Sequence, residues 1–123
     1  MTKFYGEFGV EIYDKSIYKF CFEVFNKFES LKIRETRRKT ITMDICTPIR
    51  IISNLEEISD ELYKIVNPYK NSINELLQNN RGKLFCSIFF VKVSKSCDCS
   101  LILNNKIINL ASDLGIRIDF DGF

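Results

Sequence analysis

The chain contains no histidine and no tryptophan. Without imidazole, general acid–base, triad and zinc chemistry lose their commonest participant. No apolar stretch approaches the ~20 residues that a bilayer-spanning helix needs. The first residues, Met1-Thr2-Lys3-Phe4-Tyr5-Gly6-Glu7, carry no signal-peptide apolar core, so a cytoplasmic protein is expected. Charge of one sign is also lacking. Eighteen basic and sixteen acidic residues leave a net +2, so nothing indicates attraction to nucleic acid or anionic lipid. Gly82 and Gly115 stand alone, and no phosphate-binding loop is present. There is no repeat, linker or low-complexity tract.

What the chain has is apolar bulk. Hydrophobic residues make up 46% of its 123 residues, including eleven Phe and five Tyr. That is enough for one buried core, too short for two, and it argues against disorder. The five cysteines are odd in number in a chain with no export signal, so reduced thiols are expected. Cys21, Cys46 and Cys86 sit in or beside apolar patterns and read as small core hydrophobes.

Periodicity orders the elements. Phe4, Phe8, Val10 and Ile12 alternate with Tyr5, Glu7 and Glu11, the pattern of a half-buried strand. Asp14 suits an N-cap, and Ile17, Cys21, Val24 and Phe28 form a stripe that predicts a helix over 15–25. Leu31 and Ile33, then Ile41, Met43 and Ile45, alternate as two strands of a hairpin across Glu35-Thr36-Arg37-Arg38-Lys39. Pro48 ends the second of these strands. Ser53 or Asn54 can cap a helix striped by Leu55, Ile58, Leu62, Ile65 and Val66. Asn67-Pro68 breaks it before a further helical stretch carrying Tyr69, Ile73, Leu76 and Leu77.

Gly82 is the expected positive-φ residue of the next turn. Residues 84–93 are apolar on both faces, as in a central strand. Leu101 to Leu103 can either start the last helix or precede it as an extended piece. Ile107, Ile108, Leu110, Ala111 and Leu114 make that helix's stripe, Gly115 terminates it, and Ile116-Arg117-Ile118-Asp119-Phe120-Asp121 closes as a strand. The expectation is a single α+β domain over 1–123. It has a mixed, mainly antiparallel sheet with helices on one face. A ferredoxin-like split βαβ core is extended by a C-terminal helix and a strand parallel to 84–93.

Candidate chemistry is sparse. Cys97-Asp98-Cys99 has one intervening residue and no third or fourth ligand, so no metal site is expected; an incidental thiol pair in a loop is the simpler reading. Glu7 with Glu11, and Asp119 with Asp121, project from one face of their strands. Such pairs can do acid–base work or hold a cation, but they are also what the wet face of an antiparallel sheet looks like. Arg37-Arg38-Lys39 reads as a charged hairpin tip. Glu56, Glu57, Asp60 and Glu61 complement their helix dipole. The βαββαβ order invites comparison with RNA-recognition domains. Phe85, Phe89 and Phe90 lie on the right kind of strand, but the basic–Gly–aromatic core is missing and no nucleic-acid partner is expected.

Residues 55–123, with their helix pair, the strand 84–93, the helix ending Leu114-Gly115 and the alternating Ile116-Arg117-Ile118-Asp119-Phe120-Asp121, resemble a bacterial family of small proteins known as domain of unknown function 4279. The resemblance implies an immunity protein of a contact-dependent or polymorphic toxin system. Such a protein is not an enzyme, carries no cofactor, and binds one cognate toxin domain, often a nuclease, in the cytoplasm. It assigns no site residues. Because nucleases that bind nucleic acid are commonly basic, acidic and aromatic surface residues are the expected contacts. They are Tyr5, Glu7 and Glu11, Glu56, Glu57, Asp60 and Glu61, and Asp119 and Asp121, with Arg117 joining them as an outward residue of the last strand. The alternative from another class is a small-molecule-sensing or regulatory domain that acts as a homodimer. The sequence leaves the oligomeric state open.

Overall fold

The structure, a computed structural model, describes residues 2–52, 54–93 and 102–123. In chain order the elements are strand β1 (Thr2–Ile12), a 3₁₀ turn (Lys15–Ile17), helix α1 (Tyr18–Phe25), strands β2 (Lys32–Glu35), β3 (Ile41–Cys46) and β4 (Arg50–Ile52), and helix α2 (Glu56–Val66). A second 3₁₀ turn (Asn67–Tyr69) leads into helix α3 (Lys70–Asn79). Strand β5 (Leu84–Lys92), helix α4 (Asn105–Leu114) and strand β6 (Arg117–Asp121) complete the fold.

The strands form one mixed sheet in the order β2-β3-β1-β5-β6, with β4 paired to β1 beyond β3. The first four positions in that order are antiparallel neighbours, which is the ferredoxin-like split βαβ arrangement. β6 adds parallel to β5, as the connection through α4 predicts. The expected α+β architecture is therefore the one observed.

Alternation decides the layers. Phe4, Phe8, Val10 and Ile12 of β1, Met43 and Ile45 of β3, and Ile88 and Phe90 of β5 are all buried on one face. The helices cover that face. Ile17, Cys21 and Phe25 come from the first helical segment, Ile58, Leu62 and Val66 from α2, Ile73 from α3, and Ile107, Leu110 and Leu114 from α4. Phe8 stacks on Phe25 at 5.6 Å, and Phe28 meets Tyr69 edge-on at 4.8 Å.

The termini of these elements follow local chemistry. Asp14 accepts the Ser16 amide, and Asn54 accepts that of Glu56. Asn104 caps α4 by accepting from Ile107, so residues 102–104 precede the helix and are not part of it. Gly82 has φ 79°. Gly115 at φ 65° ends α4 with the paired bonds Ile116 N–H to the Ala111 carbonyl and Gly115 N–H to that of Ser112.

The β2–β3 turn has no glycine or asparagine. Lys39 takes the positive φ of 61°, and the Thr36 and Thr40 hydroxyls, 2.6 Å apart, hold the turn closed. Strand β4 is an addition to the sequence reading. It resumes pairing with β1 after Pro48, with Lys3 opposite Ile51.

Candidate functional site

Among the described residues no helix covers the second face of the sheet. The strand registers lay it out as a grid. Glu11 stands beside Phe85, Gly9 beside Ser87, Glu7 beside Phe89, and Tyr5 beside Val91. On the β6 side Arg117 lies next to Ser87, Asp119 next to Phe89, and Asp121 next to Val91. On the β3 side Thr42 faces Glu11, Asp44 faces Gly9, and Cys46 faces Glu7. A concavity of about 650 Å³ follows this face, with Tyr13 and the arginines Arg34, Arg38 and Arg117 among its walls.

The floor is made of the two smallest residues. Gly9 and Ser87 are both buried, Gly9 beneath the Asp44 carboxylate. A Cβ at Gly9 would run into the Asp44 carboxylate, which lies over the glycine backbone and would have to move. Phe85 and Phe89, two positions either side of Ser87, are the aromatic walls. The apolar outward side of β5 is thus a partly exposed surface, with Phe89 and Val91 half-buried, where the sequence pattern suggests burial on both sides. Phe85 is 37% exposed.

The carboxylates of this face are not equivalent. Glu11 accepts the Thr40 hydroxyl at 2.6 Å and has Arg38 at 3.6 Å, so it pins the hairpin tip. Asp119 pairs with Arg117 at 2.9 Å, while the Arg117 guanidinium sits 5.0 Å from the Phe85 ring centre. Asp44 has only a loose contact to Arg34, at 3.9 Å. Glu7 has no ion pair among the described residues.

Burial raises the Glu7 carboxyl above its ordinary value, and the nearby Asp44 charge raises it further. Burial also raises Asp44, against the lowering effect of Arg34 and of hydrogen bonds from Thr42 and from protonated Glu7. The two form a crowded carboxyl pair, and Arg34 is the main positive charge acting on both. Tyr5 is raised by burial and then by Glu7.

Six of the residues expected from sequence therefore share this face: Tyr5, Glu7, Glu11, Arg117, Asp119 and Asp121. Glu56, Glu57, Asp60 and Glu61 do not join them, because α2 packs on the opposite layer. There Glu61 binds Arg50 at 3.2 Å and Asp60 binds Lys64 at 3.0 Å. Asp44, Phe85 and Phe89 were not singled out as contacts. Their signal was alternation, since each occupies an outward position of its strand. Cys46 also faces outward, half-buried beside Glu7, and so departs from the core role read for it. Cys97, Asp98 and Cys99 lie outside the described residues. Among the described residues no three His, Cys, Asp or Glu side chains are placed to hold a metal ion. No helix there is long and apolar enough to cross a membrane.

No curated protein and no solved structure matches the chain. A family model matches residues 23–122, which takes in everything from the end of α1 to β6 and therefore the β2–β3 hairpin as well as the segment that carried the resemblance. Asp44, Phe85, Phe89, Arg117 and Asp119 fall inside the matched residues, whereas Glu7 on the central strand β1 falls before them. On that match the chain belongs to the family described as domain of unknown function (DUF4279).

Proposed function

We propose that the chain is an immunity-type binding protein that neutralises a cognate bacterial toxin domain by occlusion, and that the uncovered sheet face is its interface. The observation that carries this is the state of β5. Its outward residues Phe85, Phe89 and Val91 are apolar, yet among the described residues no further layer lies over them. An apolar patch rimmed by charge is the usual composition of a protein-binding surface.

The charges beside it add direction. The under-neutralised Glu7 and Asp44 favour a partner that brings positive charge, as the active surface of a nuclease does. Catalysis is not part of the proposal. Glu11 and Asp119 are each engaged by an arginine or a hydroxyl and serve to shape a surface. The site of action proposed is the cytoplasm of the cell that makes the toxin.

The test is co-expression with the toxin domain encoded beside this gene. Growth rescue and co-purification as a stoichiometric complex are expected. A Phe85→Ala/Phe89→Ala double variant should lose both, while a Glu56→Gln/Glu57→Gln variant on the other layer should keep both. Failure of the unaltered chain to rescue or co-purify rejects the proposal. The same exposed phenylalanines also suit a regulatory homodimer. A solution mass of twice the monomer that reverts to one monomer in Phe89→Glu would move the assignment there.

A further inference from the structure

The row Glu7–Phe89–Asp119 places an aromatic ring between two carboxylates on three neighbouring strands. Adjacent strands lie ~4.8 Å apart, so the carboxylates flank the ring at the reach of one planar cation. Asp44 closes the third side from over Gly9. The neighbouring row shows the same chemistry already satisfied. Arg117 lies over Phe85 while paired with Asp119. Among the described residues no cation lies over Phe89.

We propose that the notch over Ser87, beside the Asp44 carboxylate, receives one arginine side chain of the partner protein, its guanidinium stacked on Phe89 and paired with Glu7 and Asp44. This rests on the reading of the sheet face as an interface and names what the interface selects. Arginine fits better than lysine because its flat guanidinium can stack on a ring and offer its edge to two carboxylates together. The small Ser87 side chain between Phe85 and Phe89 keeps the floor of the concavity low beside Asp44. The occupant supplies the charge that Arg34, at 3.9 Å, supplies only loosely.

The probe is the peptide acetyl-Gly-Arg-Gly-amide, titrated into the isotope-labelled full chain. The control peptide carries citrulline, which keeps the shape and removes the charge. Saturable shifts at the Gly9 and Ser87 amides and the Phe89 ring are expected, and the Glu7 carboxyl midpoint should fall as peptide binds. Citrulline should bind about tenfold more weakly or worse, as expected for loss of a charge-assisted contact. Glu7→Gln/Asp44→Asn should weaken arginine binding by a similar factor, and Phe89→Leu, which keeps apolar bulk, should also weaken it.

No saturable shift at millimolar peptide, equal binding of the citrulline peptide, or undiminished binding by the carboxamide variant overturns the proposal. Its failure is separable from failure of the interface. A Glu7→Gln/Asp44→Asn chain that still neutralises the toxin at full strength removes the notch and leaves the face. Loss of rescue by the unaltered chain, with the peptide still bound, removes the toxin reading and leaves the notch.

Discussion

Thr47 and Gly6 are joined by two hydrogen bonds. The Thr47 amide donates to the Gly6 carbonyl at 2.8 Å, and the Gly6 amide donates to the Thr47 hydroxyl oxygen at 2.9 Å. Here β1 changes partners. Glu7 faces Cys46, but Phe4 faces Arg50, so the β3–β4 side carries one extra residue and bulges. Pro48 has no N–H to offer, and the Thr47 hydroxyl takes the place of a ladder carbonyl.

Thr47 is 4% exposed, so a lost acceptor leaves a buried amide unpaired. Thr47→Val should cost ~1–3 kcal/mol, whereas Thr47→Ser keeps the oxygen and should cost well under half of that. Urea unfolding measures both. Equal losses in the two variants would show that packing of the methyl group, and not the hydroxyl, holds the bulge.

Gly9 and Asp44 make a second coupled pair. A Cβ on Gly9 meets the Asp44 carboxylate and comes within 3.3 Å of the Met43 carbonyl. Gly9→Ala should therefore destabilise by ~1–2 kcal/mol and displace the carboxylate from the floor of the concavity. Adding Asp44→Ala removes the main obstacle and should recover part of the loss, leaving a coupling of ~0.5 kcal/mol or more. A double-mutant cycle in urea gives that number, and strict additivity would contradict the contact.

Glu7 and Asp44 fix a pH dependence. Both carboxyls titrate higher folded than unfolded, so between the two values the folded chain holds more protons. Their contribution to stability therefore declines as pH rises through the interval from the unfolded value to the raised folded one, and the cost is complete above it. Glu7→Gln should raise stability at pH 7 by ~0.2–1 kcal/mol, the range for relief of a like-charge cross-strand contact. The gain should vanish below the unfolded carboxylate range of about pH 4. Melting curves of both proteins across pH 3–8 show the difference. A gain that stayed constant with pH would mean a packing effect.

Much of this fold can be read from alternation alone. β1, β3 and β6 declare their faces through single residues such as Phe8, Met43 and Ile118, whereas β5, apolar on both sides, does not, and β2 is exposed along its length. Proline and glycine mark the ends, at Pro48, Pro68, Gly82 and Gly115. The short strand β4 escapes because three residues after a proline carry no period, and its pairing depends on the bulge at Thr47. The site was half legible. Outward residues on β1 and β6 share a face because strands have period two, and so Glu7 and Asp119 could be grouped. The meeting of Glu7 with Asp44 is a matter of register, which a turn without glycine does not specify. The acids of α2 have the right sign, but composition does not say which layer a helix joins.

The cysteines report on the same surface. Cys21 and Cys86 lie on the covered face, and burial pushes the Cys21 thiol up to about 11 and Cys86 higher still. Cys46 is half-buried on the open face, raised by burial and then by the Glu7 charge. Alkylation needs a thiolate that reagent can reach. In a Cys97→Ser/Cys99→Ser background, iodoacetamide should modify Cys46 first, and Cys21 and Cys86 only as fast as the chain unfolds. Replacing Glu7 by Gln removes one of the charges that oppose the thiolate. Labelling of Cys46 at pH 7.5 should then quicken severalfold with no change at Cys21, as expected for a nearby like charge removed. Mass-resolved labelling rates decide it. Acceleration at all three cysteines would mean a loosened fold, and none at Cys46 would mean that Glu7 does not act on that thiol.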